Sequence, residues 1–313
     1  MERCGVKPRS ELLGGGNLPA GMVQAKAEVL VHSLAAPDHY LMRLKAPLIA
    51  KRSKPGQFIH IRCAEEAGDT GPLLRRPFSL LDASPKSGTI DFIYKVVGLG
   101  TAALTQIPVG ATADLLGPLG QPFAIPDGVK ASYLLGGGVG IPPMYFLAKW
   151  IREGRRAGDR GHGASGEGQV KVFLGARTKK WVICADMFKK LGVEVHIATD
   201  DGSLGYKGSV VALLERELLR SSPQAPRLLP RVSRPVLYVC GPTPMMAAAA
   251  SLARRESIPA QVSLEERMGC AMGVCMGCVV EVAAETTTKH ARYQRVCTEG
   301  PVFPAEIIQW RTE

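Results

Sequence analysis

The sequence predicts three successive units: an antiparallel β-barrel, a parallel α/β domain and a small cysteine-rich module. Short apolar runs separated by Pro and Gly fill residues 22–128, a pattern typical of a small antiparallel barrel. Strand-like and helix-like segments alternate over residues 129–260, which indicates a parallel sheet covered by helices. Four cysteines lie in the last unit, residues 261–313, and residues 1–21 are expected to form a flexible N-terminal tail.

Composition excludes several classes of function. Hydrophobic residues make up 46% of the 313 residues, which is enough for two or three cores. No run of eighteen apolar residues occurs, so no membrane span is expected. The formal net charge is +11, but the basic residues are dispersed and only 6% of residues are aromatic, so no nucleic-acid partner is expected. Reduced, metal-binding cysteines would place the protein in the cytoplasm.

Two segments of the predicted barrel suit a phosphate and a flat ring. The run Arg76-Pro-Phe-Ser79 offers a cation beside an aromatic side chain, although a solvated edge strand explains it equally well. The strand Ile93–Lys95 precedes the Gly-rich turn 98–101, and a turn of this kind before a helix-like run is a common phosphate site. Barrel strands are predicted at residues 28–31, 40–44, 58–62 and 90–96.

The α/β unit has two Gly-containing segments at the ends of predicted strands. Gly136-Gly-Gly-Val-Gly140 follows the strand 133–135, and Cys240-Gly-Pro242 ends the strand 236–240. Ligands of open α/β sheets bind outside the carboxyl ends of strands. The first segment is not a G-x-G-x-x-G motif, so a tight strand–helix turn also explains it, and Cys240 also suits a small buried position. Other elements are a helix at 143–152, strands at 170–174 and 193–197, and exposed loops at 154–168 and 221–235.

The cysteine spacing of the last unit is the most specific pattern in the chain. C-x4-C-x2-C followed by eighteen residues and a fourth cysteine is the ligand spacing of a plant-type [2Fe–2S] cluster. Gly269 and Gly277 precede two of the cysteines and let the backbone approach the sulfurs closely. Structural zinc sites usually use two C-x2-C pairs, and disulfide frameworks suit shorter secreted chains. The proposed ligands are Cys270, Cys275, Cys278 and Cys297.

The order of these motifs resembles the ferredoxin–NADP reductase superfamily. The similarity includes the barrel segments, the run Leu116-Gly-Pro-Leu-Gly120 and the two nucleotide-facing segments. Within it, Glu265–Cys270 and Arg295–Phe303 resemble one branch, the electron transfer subunits of NAD-dependent dihydroorotate dehydrogenase B. The resemblance runs from about Met22 to Phe303, and Phe78 stands where the superfamily often has tyrosine.

The resemblance implies a redox relay. An FR-type FAD-binding barrel, an NAD-binding domain and a [2Fe–2S] module would pass electrons from the FMN of a catalytic partner subunit through the cluster and FAD to NAD+ in pyrimidine biosynthesis. Such a relay is chemically coherent, because a flavin exchanges both one and two electrons. No catalytic acid or base is expected in this chain. The partner would be the dihydroorotate dehydrogenase subunit, in a heterotetramer with two copies of each.

The resemblance also assigns the site residues. Two alternatives stay open: the flavoprotein subunit of an NADH-dependent ferredoxin:NADP oxidoreductase, and a zinc-binding structural or interaction protein. The residues implied to line FAD are Arg76, Pro77, Phe78, Ser79, Ile93, Tyr94, Lys95, Gly100 and Thr101. Those implied to face the nicotinamide nucleotide are Gly136, Gly137, Gly138, Gly140, Cys240, Gly241 and Pro242.

Overall fold

The described residues of the chain form two seven-stranded sheets and one two-stranded sheet. The structure, a computed structural model, describes residues 21–64, 72–126, 129–154, 169–221, 235–283 and 292–310. The tail and the two loops expected from the sequence lie almost entirely outside the described residues. Among the described residues, no helix has both the length and the apolar character needed to cross a membrane.

The first sheet is antiparallel and strongly curled. Its strand order is β4-β3-β7-β1-β2-β6-β5. The edge strand β4 bends over to β6, where Phe78 stacks on Phe92 with ring centroids 5.1 Å apart. The predicted antiparallel architecture is confirmed, as a half-barrel whose β4 and β5 remain edges. Its elements are β1 (Val23–Ala36), β2 (His39–Lys45), α1 (Pro47–Arg52), β3 (Phe58–Ile61), β4 (Arg76–Ser79), β5 (Asp82–Ser84), β6 (Thr89–Lys95), α2 (Leu99–Leu104) and β7 (Thr112–Leu119).

The second sheet is parallel except for one edge strand, as the alternating pattern predicts. The strand order is β11-β10-β9-β8-β12-β13-β16, with β8 in the centre. The strands that follow β8 in the chain are added first on one side of it and later on the other. Among the described strand pairs of this sheet, only β13–β16 is antiparallel. Its elements are β8 (Ala131–Gly137), α3 (Ile141–Arg152), β9 (Gln169–Ala176), α4 (Ala185–Lys190), β10 (Glu194–Thr199), β11 (Tyr206–Lys207), α5 (Val210–Ser221), β12 (Val236–Cys240), α6 (Thr243–Arg255), β13 (Ala260–Ser263) and β16 (Val302–Pro304).

Helices cover both faces of this parallel sheet. Residues of α3 and α4 share one core with β8 and β9, whereas α5 and α6 share a second core on the opposite face. The chain leaves β8 toward β9 on one side and later returns to β12 on the other. The switch in strand order therefore lies between β8 and β12, and the carboxyl ends of these two strands form the expected ligand crevice.

The C-terminal segment packs against both larger sheets. The strands β14 (Val279–Glu281) and β15 (Tyr293–Arg295) form the two-stranded sheet. Ala271 and Val296 are buried in one cluster that also contains Phe58 and Leu119 of the first sheet and Val262 of the second. The cysteine-bearing segment is thus held at a fixed position relative to both sheets by apolar burial.

His60 in the middle of β3 is a buried titratable group. It is 1% exposed, and neither ring nitrogen makes a hydrogen bond of normal geometry within the described part of the chain. Burial lowers the pKa of His60 to about 4; the Arg75 backbone opposes this shift, and the positive charges of Arg75 and Arg76 add smaller effects that also lower the pKa. Between about pH 4 and 6.5, the His60 ring is therefore neutral in the folded state, whereas the unfolded chain would bind a proton there.

We expect this histidine to make stability depend on pH. Its contribution is present above the unfolded pKa of about 6.5 and is lost as pH falls toward 4, by at most about 3 kcal/mol. His60→Leu should reduce the drop in the thermal unfolding midpoint between pH 7.5 and 5. An identical drop in the variant and the parent would contradict this assignment.

Candidate functional site

The fold brings the two predicted flavin segments into contact. The guanidinium of Arg76 on β4 lies against Gly100 in α2, where an added Cβ would come 2.9 Å from Arg76 Nε. Arg76 Nη1 donates to the carbonyls of Leu74 and Arg75 at 2.7 and 3.2 Å, and among the described residues Nε and Nη2 have no hydrogen-bond acceptor, so they could bind an anion. Thr101 Oγ1 accepts the N–H of Val97 at 2.9 Å and closes the turn before α2. The helix that follows this turn has only six residues, so the positive charge of this region is that of the Arg76 side chain.

Several aromatic side chains form a wall around Phe78, two residues after Arg76 on β4. Phe78 stacks on Phe92, and its centroid lies 5.5 Å from that of Tyr94. The Tyr94 hydroxyl makes a 2.8 Å hydrogen bond with Nε2 of His32, whose Nδ1 lies 2.8 Å from the Ile107 carbonyl. Tyr94 is buried, so it supports the wall and does not face the solvent. The remaining predicted residues of this region are half-buried Pro77 and Ser79, half-buried Lys95 and buried Ile93.

The two segments predicted to face a nucleotide also meet. Gly140 lies directly against the backbone of Cys240, where no Cβ has room. A Cβ on Gly137 would lie 3.1 Å from Cδ of Pro242. Gly138 has φ of +55° and nothing within 4 Å of a Cβ position, so its backbone borders open space. The turn and the loop thus form a Cβ-free surface at the crevice between β8 and β12.

Cys240 at the end of β12 is buried at this crevice. Burial, followed by repulsion from Glu265, raises the pKa of Cys240 to about 12, although a hydrogen bond with Ser263 opposes the shift. The thiol is therefore neutral at physiological pH. Glu265 is exposed to solvent, yet neighbouring protein atoms partly desolvate its carboxyl group. This desolvation, and then repulsion from Glu266, raise the pKa of that carboxyl group. Glu265 is thus a titratable group of this crevice that motif reasoning about the nucleotide site missed.

Contacts between the two large sheets close the region around these segments. Lys95 Nζ lies 4.6 Å from the centroid of the Trp181 ring, a cation–π contact between β6 and the segment after β9. Lys149 Nζ on α3 forms an ion pair with Asp82 on β5 at 2.6 Å. These pairs fix the first sheet against the second, so Arg76 and the nucleotide turn belong to one packed body.

The loop with three cysteines presents N–H groups to sulfur. Cys270 Sγ accepts the backbone N–H groups of Met272, Val274 and Cys275 at 3.5, 3.3 and 3.4 Å. Burial raises the pKa of the Cys270 thiol, but these donors outweigh it and lower the pKa to about 7. Such an environment stabilises a thiolate, the form in which cysteine binds iron.

The four cysteines are arranged as two pairs. The thiol of Cys270 lies close to that of Cys275, and the thiol of Cys297 lies close to that of Cys278. Burial, and then this contact with Cys278, raises the pKa of Cys297 to about 12. Cys297 lies in the turn after β15, and Val296 N–H bonds to the carbonyl of Cys278 at 2.9 Å.

Two pairs of thiols fit a two-iron cluster, in which each iron takes two protein ligands. In the described part of the chain, no three His, Cys, Asp or Glu side chains gather as one metal ion requires. Gly269 and Gly277 each place a Cβ position near Cys275 Sγ, at 3.3 and 3.5 Å. A Cβ at position 269 would be tight against the sulfur, whereas a Cβ at position 277 would be in ordinary van der Waals contact with it.

Comparison with known proteins gives a consistent result. Residues 265–309 match the family model of the iron-sulfur cluster binding domain of dihydroorotate dehydrogenase B. The chain is 37% identical over 285 residues to the dihydroorotate dehydrogenase B (NAD(+)) electron transfer subunit of Desulforamulus reducens, covering 91% of this chain and 97% of that protein. The subunit of the same name from Bacillus caldolyticus is 41% identical over 281 residues, covering 88% and 95%.

Solved structures extend the comparison to the fold. A structure of NADH-dependent reduced ferredoxin-NADP oxidoreductase superposes with a TM-score of 0.73 at 30% identity, covering 95% of this chain and 92% of that chain. A ferredoxin NADP+ reductase from Neisseria gonorrhoeae with bound FAD and NADP has a TM-score of 0.57 at 18% identity, covering 76% and 92%. The second likeness shows the common fold alone.

Proposed function

Because the chain belongs to the family of dihydroorotate dehydrogenase B (NAD(+)) electron transfer subunits, we propose that it passes electrons from a dihydroorotate-oxidising partner to NAD+. One observation carries this proposal most directly. Cys278 and Cys297 share a buried core with residues of the first sheet, whose β4 carries the flavin segment. A cluster held by the four cysteines would therefore be packed against the same sheet as a flavin held at β4.

The flavin, the nucleotide and the cluster would each occupy one part of the fold. We assign FAD to residues 22–128, the nicotinamide nucleotide to residues 129–260 and the [2Fe–2S] cluster to residues 261–313. When bound, these groups supply the change from two-electron exchange with a nicotinamide to one-electron exchange with iron. The polypeptide supplies binding, orientation and electrostatic environment.

In the first sheet, Arg76 would bind the phosphates of FAD. Its guanidinium is fixed beside Gly100 and keeps donors available for a charge-assisted hydrogen bond. Phe78 would border the flavin ring, supported from behind by Phe92. Gly138 would let the nicotinamide nucleotide approach the backbone at the crevice, with Cys240 and Glu265 beside it.

In the C-terminal segment, Cys270 and Cys275 would hold one iron, and Cys278 and Cys297 the other. The N–H groups directed at Cys270 stabilise its thiolate. The reduced thiols that such a site needs are typical of the cytosol, to which we assign the protein.

The partner subunit would dock on the cysteine loop. Val274 and Met276 flank Cys275 and are 77% and 52% exposed, so two exposed apolar side chains lie on either side of a proposed cluster ligand. Docking there would bring a donor group close to the cluster, and two copies of each subunit would form the complex.

Val274→Glu should weaken association with the catalytic subunit about tenfold or more, because a charge would be buried at the contact. Co-purification of tagged subunits, with iron and flavin assays, measures the effect. Leu34→Glu on β1, another exposed apolar position at 62%, is the matched control and should leave association unchanged. Unaltered association of Val274→Glu, with its iron retained, would contradict this docking surface.

A second function has specific support. The structural similarity to NADH-dependent reduced ferredoxin-NADP oxidoreductase covers nearly the whole chain, so the same sites also suit a flavoprotein subunit of that kind of enzyme. The two functions differ in the partner: a dihydroorotate dehydrogenase or a large ferredoxin-linked subunit.

Co-expression distinguishes them. With an FMN-containing dihydroorotate dehydrogenase subunit, the chain should confer dihydroorotate oxidation that reduces NAD+. A complex that keeps its iron and flavin but lacks this activity would overturn the first function and favour the second. If the chain, co-expressed with a large ferredoxin-linked subunit, shows ferredoxin-linked activity instead, the second function is established.

A further inference from the structure

Arg295, at the end of β15, is connected to the cysteine loop and to the turn with the fourth cysteine. Its Nη1 donates to the carbonyl of Gly273 at 2.8 Å, in the loop between Cys270 and Cys275. Its backbone N–H and Nε donate to Glu299 Oε2 at 2.7 and 2.9 Å, and Nη2 bonds to Glu299 Oε1. A planar guanidinium has several donors in fixed positions, so it can bond to the Gly273 carbonyl and the Glu299 carboxylate at the same time.

Gly273 transmits this connection to sulfur. Its φ is +84°, and a Cβ would lie 2.9 Å from Cγ2 of Thr298 and 3.1 Å from Nη1 of Arg295, so the position requires glycine. Gly273 also lies beside the thiol of Cys297. Arg295 therefore fixes, through its hydrogen bond to the Gly273 carbonyl, a loop residue that is a neighbour of the fourth cysteine.

The same ion pair places two opposite charges beside the cysteines. Arg295 interacts electrostatically with Cys297 and Cys278, and both members of the Arg295–Glu299 pair are 34% exposed. Adding one electron to an iron–sulfur cluster makes it more negative by one charge, with no bond made or broken. A nearby cation favours that form and a nearby carboxylate disfavours it.

We propose that Arg295 and Glu299 form a positioning pair that joins the three-cysteine loop to the Cys297 turn and sets the reduction potential of the cluster. The proposal rests on the proposed function, because it requires the cluster. Arg295 acts through Gly273 and through its charge, and Glu299 holds the guanidinium and opposes that charge.

The test is a redox titration of the purified full-length chain, followed by electron paramagnetic resonance, with chemical mediators and dithionite. Arg295→Gln should lower the cluster potential and Glu299→Gln should raise it. Each shift should be about tenfold in the ratio of reduced to oxidised cluster, or about 59 mV for one electron. Arg292→Gln is the matched control, because Arg292, directly before the same strand, pairs with Glu281 instead. The cluster potential of this variant should equal that of the parent.

Both substitutions break the same ion pair, so a purely geometric effect would shift the cluster potential in the same direction in both variants. Potential shifts of opposite sign therefore indicate an effect of charge. Shifts in the same direction, or no shift in either variant, would overturn the proposal. If Arg295→Gln fails to hold iron, Arg295→Lys, which keeps the charge, is compared with Arg295→Met reconstituted with iron. The cluster potential of Arg295→Lys should be the higher of the two, and equal potentials would also overturn the proposal. Because the titration uses neither NADH nor a partner, loss of electron transfer to NAD+ in the parent would count against the proposed function alone.

Discussion

Replacing Cys275 by serine should remove the iron–sulfur cluster and leave the flavin bound. A serine hydroxyl is a poor ligand for iron, and Cys275 is paired with Cys270 as one half of the ligand set. The residue is exposed and lies in the loop, so its replacement disturbs no core. Iron content per flavin, measured on anaerobically purified protein, should fall to near zero, and electron transfer to any partner should be lost.

Cys184→Ser is the matched control for this substitution. Cys184 precedes α4 on the parallel sheet, away from the cysteine loop, and its thiol is also free. This variant should keep its iron and flavin, even if its thermal midpoint falls. Iron retained at the parental level in Cys275→Ser would show that the ligand assignment is wrong.

Arg76→Ala should weaken FAD binding about ten- to a hundredfold. A charge-assisted hydrogen bond to phosphate contributes roughly 1.5–3 kcal/mol, and each 1.4 kcal/mol changes an affinity about tenfold. The guanidinium has the position and free donors for this contact, beside Gly100. Flavin affinity can be measured by fluorescence titration of protein stripped of FAD.

Arg75→Ala separates this effect from a general loss of stability. The neighbouring Arg75 donates to Asp114 at 2.7 Å on β7, so its role is to join strands of the first sheet. We expect Arg75→Ala to lower the thermal midpoint while flavin affinity stays near the parental value. Equal flavin affinities of Arg76→Ala and the parent would refute a phosphate-binding role for Arg76.

Local patterns in the sequence account for a large part of this architecture. Strand and helix periodicity predicted the antiparallel and parallel sheets, because each periodicity reflects which side chains face a core. The cysteine spacing predicted the cluster module, because three ligands lie within a single loop. The positions of Gly140 and Gly241 at strand ends indicated a crevice, and the structure brings these two residues together.

Contacts between distant parts of the chain were beyond such patterns. The His32–Tyr94 hydrogen bond joins β1 to β6, and the Lys95–Trp181 contact joins the two large sheets. No short motif encodes either pair, because both depend on how the curled sheet closes. The strand β16 likewise extends the parallel sheet from within the segment predicted as a separate cluster module.

The measurement that tests the central claim most directly is an anaerobic visible spectrum of the purified chain, with iron and flavin assays, before and after NADH. The account predicts a brown-yellow protein with about two irons per FAD, bleached when NADH is added. Protein that contains neither iron nor flavin after anaerobic handling and reconstitution would contradict it.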